Sequence, residues 1–332
     1  MGIEEKIMTH KRITYLDVAK GLLILLVIYD HLPDVYLTLL ERDNLFIEYL
    51  NEGQWIYKLF FMPAFFCITG MCSNFNKKFH PFLISNFKTL IIPNLVFSVL
   101  LNPVDPNILK ILLLGGGAFW FLTALFLAKV IYWLINKYFP SNPIIRIFIL
   151  ISMVFIGFVF NNVSPRYDIW NFHYAFNLAV FIEMGHFLKR TKNSNYLYLG
   201  SICYIIICLG LMFFNNIHRP VMALGCSCEI YEVPLYLLSA SSGTCLILLI
   251  SKWINHNRVL QFFGKETLLF YVLQVKILYL CEFVYVLFFS VDGLISVLFF
   301  VCVIFLLTIA ILSVLSRLIE SNKYLLYLIG RF

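Results

Sequence analysis

A chain of 332 residues that is 61% hydrophobic and only 13% charged is no ordinary soluble domain, since such domains carry charge on about a quarter of their residues. The formal net charge of +7 does not require a nucleic-acid partner, because the basic residues alternate between connections along the chain as membrane topology demands. These properties describe an all-α, polytopic membrane protein in which residues 1–332 form a single membrane-embedded domain.

The charged N-terminal run through Arg12 leads into a long helix with no small-residue cleavage site, so it does not read as a secretory signal. From there, apolar segments near the length of about 20 residues that spans a bilayer fall at 19–40, 55–74, 83–101, 119–137, 144–161, 170–188, 196–214, 231–251, 267–289 and 294–317. This predicts about ten transmembrane helices. Pro93 and Asn94 interrupt the third, and the fifth is short. Lys6, Lys11, Arg12 and Lys20, then Lys77, Lys78 and Lys88, Lys137 and Arg146, Lys189 to Lys192, Lys252 to Lys265, and Arg317 to Arg331 hold most of the 25 basic residues in alternate connections. The intervening connections carry Glu41, Asp43, Glu48, Asp105, Asp168, Glu229 and Asp292. The positive-inside rule then places both termini in the cytoplasm.

The first segment, DVAKGLLILLVIYDHLPD, is the costly one. It sets Asp30, His31 and Asp34 where a membrane helix is usually most apolar, and ionisable groups at that depth mark functional sites. Lys20 precedes His31 by about 16 Å of helix at 1.5 Å per residue, so one helix holds a cation near the membrane edge and an imidazole near the midplane. A neutral imidazole can take and return a proton near pH 7. Asp34, three residues on, shares its face and can orient the ring; Asp30 is the second candidate. Lys20 suits either snorkelling or, with Lys88, the binding of an anionic ligand.

Later segments add candidates with competing structural readings. FFMPAFFCITG (60–70) places Pro63 inside the second helix, freeing a carbonyl. Trp120, after the glycines of GGGAFWFLTALF, is either an interfacial belt residue or a substrate contact. Gln274 lies at about the depth of His31 and either knits helices together or touches substrate. Glu183 and His186, three apart, either pair with each other or face a substrate. His173 and Arg219 lie toward the outer side, and Lys276 and Glu282 need partners on other helices. The nine cysteines sit mainly in apolar segments, and Cys226 and Cys228 have no histidine or cysteine partners at zinc spacing, so no metal is expected.

Taken in order, these strings resemble the acyltransferase 3 family of integral-membrane O-acyltransferases. ITYLDVAKGLLILLVIYDH is similar to that family's opening helix, in which a basic residue precedes a histidine by the interval separating Lys20 and His31. FFMPAFFCITG, FLISNFKTLIIP, WFLTALF, NLAVFIEMGHFLK and GKETLLFYVLQ resemble its later motifs in the same order. The branch most similar is that of fucose 4-O-acetylase-like and polysaccharide-acetylating enzymes. Departures are Lys20 where many members have arginine, Phe61 and Gln274 where histidines are frequent, and Lys88 in place of an arginine cluster. The resemblance implies transfer of an acetyl group from cytoplasmic acetyl-CoA to a sugar hydroxyl of a cell-surface polysaccharide or its lipid-linked precursor, in a bacterial-type cell membrane. His31, Asp34 and Asp30 would be catalytic, Lys20 and Lys88 would hold the donor, and Trp120, Gln274 and Glu183 would contact the acceptor. His31 acts either as general base or as a transient acyl carrier. The competing reading is a secondary transporter or exporter of a small anion or glycan, since membrane-embedded His and carboxylates also suit proton-coupled transport.

Overall fold

The computed structural model describes residues 12–40, 52–103, 108, 117, 119–140, 142–163, 169–191, 194–213, 230–289 and 294–330. It is 89% helical, with no strand among the described residues, in agreement with the all-α reading. In chain order the helices are α1 (Thr14–Leu40), α2 (Trp55–Lys58), α3 (Phe61–Cys72), α4 (Phe79–Asn86), α5 (Ile92–Leu101), α6 (Trp120–Tyr138), α7 (Pro143–Val163), α8 (Phe172–Thr191), α9 (Asn195–Phe213), α10 (Val233–Trp253), α11 (Arg258–Lys265), α12 (Thr267–Phe288), α13 (Leu294–Ser321) and α14 (Lys323–Leu328). The acidic residues Glu41, Asp43, Glu48, Asp105, Asp168, Glu229 and Asp292, together with Arg219, Cys226 and Cys228, lie outside the described residues.

Among the described residues, 8 stretches are long and apolar enough to cross a bilayer, which makes this a multi-pass membrane protein. The other two expected segments form α1 and α8, of 27 and 20 residues, which are not among those stretches and are interrupted by polar side chains, among them Asp17, Lys20, Asp30 and His31 in α1 and His173, Asn177, Glu183 and His186 in α8. Packing explains the difference. α1 lies against α3, α10, α11, α12 and α13, and α8 lies against α3, α6 and α7. A helix enclosed by other helices can turn polar groups toward protein or a cavity. By contrast, α9 buries 22% of its apolar window and the stretch containing α3 buries 72%, so α9 borders lipid and α3 lies in the core.

Two expected interruptions take definite form. The second segment breaks at Leu59 and Phe60, where Phe60 leaves helical geometry at φ −133°, and α3 starts afresh at Phe61. Pro63 therefore occupies the first turn of a new helix, where its missing N–H costs nothing, and not the middle of a continuous one. The third segment passes from α4 to α5 through a π-helical turn, Phe87–Ile91, with Pro93 in the first turn of α5.

Close helix approaches rest on paired glycines. A Cβ on Gly21 of α1 would meet the Leu260 carbonyl of α11, and one on Gly264 of α11 would meet the Asp17 carbonyl of α1. Gly70 of α3 and Gly185 of α8 stand in the same reciprocal relation to Ile182 and Cys67. Small residues at such contacts let membrane helices pack backbone to backbone. Gly264→Val should push α11 off α1 at an overpacking cost of about 1–3 kcal/mol, visible as a lower thermal midpoint in detergent; an unchanged midpoint would show that α11 adjusts freely.

Candidate active site

Beside the second half of α1 lies an open cavity of about 730 Å³ lined by Asp30, His31, Lys58, Phe61, Met62, Trp120, Tyr271, Gln274 and Lys276, among others. The break at Phe60 accounts for part of this wall, because it lets Lys58 and the Phe61–Met62 turn border the same space. Lys58 Nζ stands 3.2 Å from Asp30 Oδ1, and Gln54 Nε2 donates to the Asp30 carbonyl at 3.2 Å. Asp30 is thus tied to Lys58. The side chain of Asp34 lies outside the described residues.

Trp120 opens α6 with its ring on Tyr174, centroids 4.5 Å apart, and is buried against the cavity; it is not an exposed belt residue. Asn94 Nδ2 donates to the Phe119 carbonyl at 3.0 Å, which fixes the start of that helix. Gln274 is 1% exposed, and its Oε1 has no hydrogen-bond partner among the described residues. His31, Trp120 and Gln274 therefore border one space.

Toward the other end of α1 lies a second cavity, of about 670 Å³, with a different character. Arg12, Lys20, Lys189 and Arg190 line it together with Asp17, His186, Asn74 and Asn76. Asp17 receives Arg12 Nε at 2.5 Å and stands 2.9 Å from Lys20 Nζ, so one carboxylate organises two cations and the wall keeps a positive excess. Lys88 does not line this cavity. It is exposed in the π-helical turn, whose backbone abuts Gly330. Lys20 shares this cavity with Arg12, just ahead of α1, and with Lys189 and Arg190 of α8.

A third, smaller cavity of about 280 Å³ lies between the pair. Lys20, Cys72 and Ser73 border it and the basic cavity, while Tyr271 borders it and the His31 cavity. Lys129 of α6 also borders this third cavity. Sequence reasoning passed over Lys129, although a lysine in the middle of WFLTALFLAKV is itself a signal of a polar interior.

Glu183 lines none of these three cavities. It is buried, and it accepts from Arg146 Nη2 at 2.9 Å, from Arg146 Nε at 3.0 Å and from the Tyr132 hydroxyl at 2.6 Å. Arg146 also donates to the carbonyls of Phe139 and Pro140, at 3.1 and 2.9 Å. The Glu183 carboxylate is thus committed to Arg146 and Tyr132 and not to any of these cavities. Nor do Glu183 and His186 pair directly, because Tyr132 stands between them with its oxygen 2.7 Å from His186 Nδ1. Since the Tyr132 proton goes to Glu183, its oxygen accepts from Nδ1–H, leaving Nε2 of the neutral ring as the acceptor. The missed partner, Arg146, was signalled by a lone arginine and a lone glutamate in separate apolar helices, each too costly to bury alone.

The arrangement sets a basic cavity suited to an anionic group, a smaller and mostly apolar cavity, and a cavity bordered by an imidazole next to one another. Comparison with known proteins adds independent support. Searches of curated proteins and of solved structures find no match. The family model described as an acyltransferase domain matches residues 13–317, which includes α1 and nearly all the helices built around it. The chain belongs to the acyltransferase 3 family and is a membrane acyltransferase.

Proposed function

We propose that this protein is an O-acetyltransferase of the fucose 4-O-acetylase-like branch, acting in a bacterial-type cell membrane with both termini cytoplasmic. It would carry an acetyl group from acetyl-CoA to a sugar hydroxyl of a cell-surface polysaccharide or its lipid-linked precursor. The observation that carries the reading is the succession of three neighbouring cavities, sharing wall residues, from the basic one at Lys20 to the one at His31. Phosphates suit Lys20, Lys189, Arg190 and Arg12, while a thin thioester arm suits the mostly apolar middle cavity bordered by Phe65, Leu122 and Leu125.

In the reaction, the sugar hydroxyl attacks the thioester carbonyl as His31 takes the hydroxyl proton. The tetrahedral intermediate collapses, the carbon–sulfur bond breaks, and the thiolate recovers the proton from the imidazolium. An ester and free CoA result. Asp30 would act through Lys58, to which it is paired, and Gln274 and Trp120 would contact the acceptor.

Radiolabelled acetyl-CoA incubated with the purified protein and the host's surface glycan should place base-labile label on the glycan. Solute movement in vesicles, with no label transferred, would favour the transporter and defeat the enzyme reading. Lys20→Ala should raise the KM for acetyl-CoA about tenfold, the equivalent of one charged contact of about 1.4 kcal/mol, with kcat little altered. An unchanged donor KM would reduce Lys20 to a determinant of topology.

A further inference from the structure

We propose that the acceptor held in the His31 cavity is anionic, with a carboxylate or phosphate group bound by Lys276 while a neighbouring hydroxyl is bound by Gln274. This rests on reading that cavity as the acceptor site.

The charges of the wall lead to this. The cavity places Asp30, Lys58 and Lys276 around His31. Lys58 is committed to Asp30 at 3.2 Å, so that pair is close to neutral. Lys276 is exposed at the cavity and has no carboxylate partner among the described residues. The nearest acid on its own helix, Glu282, is wholly buried, and neither of its oxygens has a hydrogen-bond partner among the described residues, so it does not neutralise Lys276. The described wall thus carries one cation more than it carries anions.

Gln274 supplies the second requirement. A buried amide oxygen with no partner can only accept, so the group that completes it is a donor such as a sugar hydroxyl. Leaving it unmet costs about 1–3 kcal/mol, and a ligand that meets it recovers that cost. Gln274 and Lys276 are two residues apart on α12 and border the same space, the first buried and the second exposed. A molecule bearing both a hydroxyl and a negative group satisfies both at once. The volume of about 730 Å³ is that of a small-molecule site.

A carboxylate on the sugar and a phosphate on its anomeric carbon share this chemistry, and three probes separate them: methyl glucuronide, glucose 1-phosphate and neutral methyl glucoside. Binding to the detergent-solubilised full chain is followed by saturation-transfer NMR, and acetyl transfer by labelled acetyl-CoA. At least one charged sugar should bind about tenfold more tightly than the neutral one. Lys276→Gln should erase that preference, Lys276→Arg should retain it, and neutral-sugar binding should be unaffected by either. Which charged sugar wins identifies the source of the anion. Equal binding of charged and neutral sugars, or a preference that survives in Lys276→Gln, overturns the proposal. Lys276-dependent binding without acetyl transfer to any sugar would uphold the anion site and reject the acetyltransferase reading, so the two fail separately.

Discussion

His31→Ala is expected to lower acetyl transfer by a factor of about 10² to 10⁴, the contribution of a positioned general base, with thermal stability close to wild type. The stability expectation follows from position. His31 borders an open cavity and is only partly buried, so truncation enlarges an existing space and removes no close-packed core atoms. His31→Gln sharpens the test, since glutamine keeps the bulk and a hydrogen bond but cannot cycle a proton near pH 7. If glutamine restores transfer, the ring is a structural hydrogen-bonding group and the chemistry lies elsewhere. The same protein, exposed to labelled acetyl-CoA without acceptor, distinguishes the two routes for the acyl group. Label retained on the chain at position 31 indicates an acyl-imidazole, and its absence in an active enzyme indicates direct attack.

What the chain revealed before its structure depended on whether the signal was local. The helices were readable because length and hydropathy are properties of contiguous residues: 119–137 was expected where Trp120–Tyr138 is found, and 267–289 where Thr267–Phe288 is found. The polarity of α1 was readable for the same reason, and it led to His31. Pairings between helices were not readable. Lys58 reaches Asp30 from α2, the short helix ahead of the break at Phe60, and no local pattern announces that pairing. Lys88 looked like the companion of Lys20 because both sat at basic ends of helices. The π-helical turn instead carries it to an exposed position, and Lys189 and Arg190, at the far end of α8, border the Lys20 cavity. Glu183 shows the same limit. Its charge in an apolar helix marked it as important, but only tertiary packing reveals that Arg146 and Tyr132 satisfy it.

Glu183→Ala should accordingly be among the most destabilising single substitutions in the chain and should act on folding, not on acceptor affinity. Arg146 is 1% exposed on its side chain, and Glu183 supplies its charge partner at 2.9 Å. Removing one member of a buried pair leaves the other charge uncompensated, at a cost of about 3–5 kcal/mol. The loss should show as a large fall in the detergent thermal midpoint and in yield of folded protein. Arg146→Met should be similarly damaging, because it strands the carboxylate. The combination of Arg146→Met with Glu183→Leu should recover much of the loss, since well-packed apolar replacements of a buried pair are often neutral. That non-additivity is the signature of a structural ion pair. Recovery of stability would also expose a subtler role. With Glu183 gone, the Tyr132 hydroxyl loses the carboxylate that takes its proton and can donate to His186 Nδ1 instead, so the ring at the basic cavity is no longer held in one tautomer. The stable double variant should then show a raised KM for acetyl-CoA with an unaltered KM for the sugar. A stable Glu183→Ala protein with weakened sugar affinity alone would instead return Glu183 to the acceptor site and break the link between this cluster and the fold.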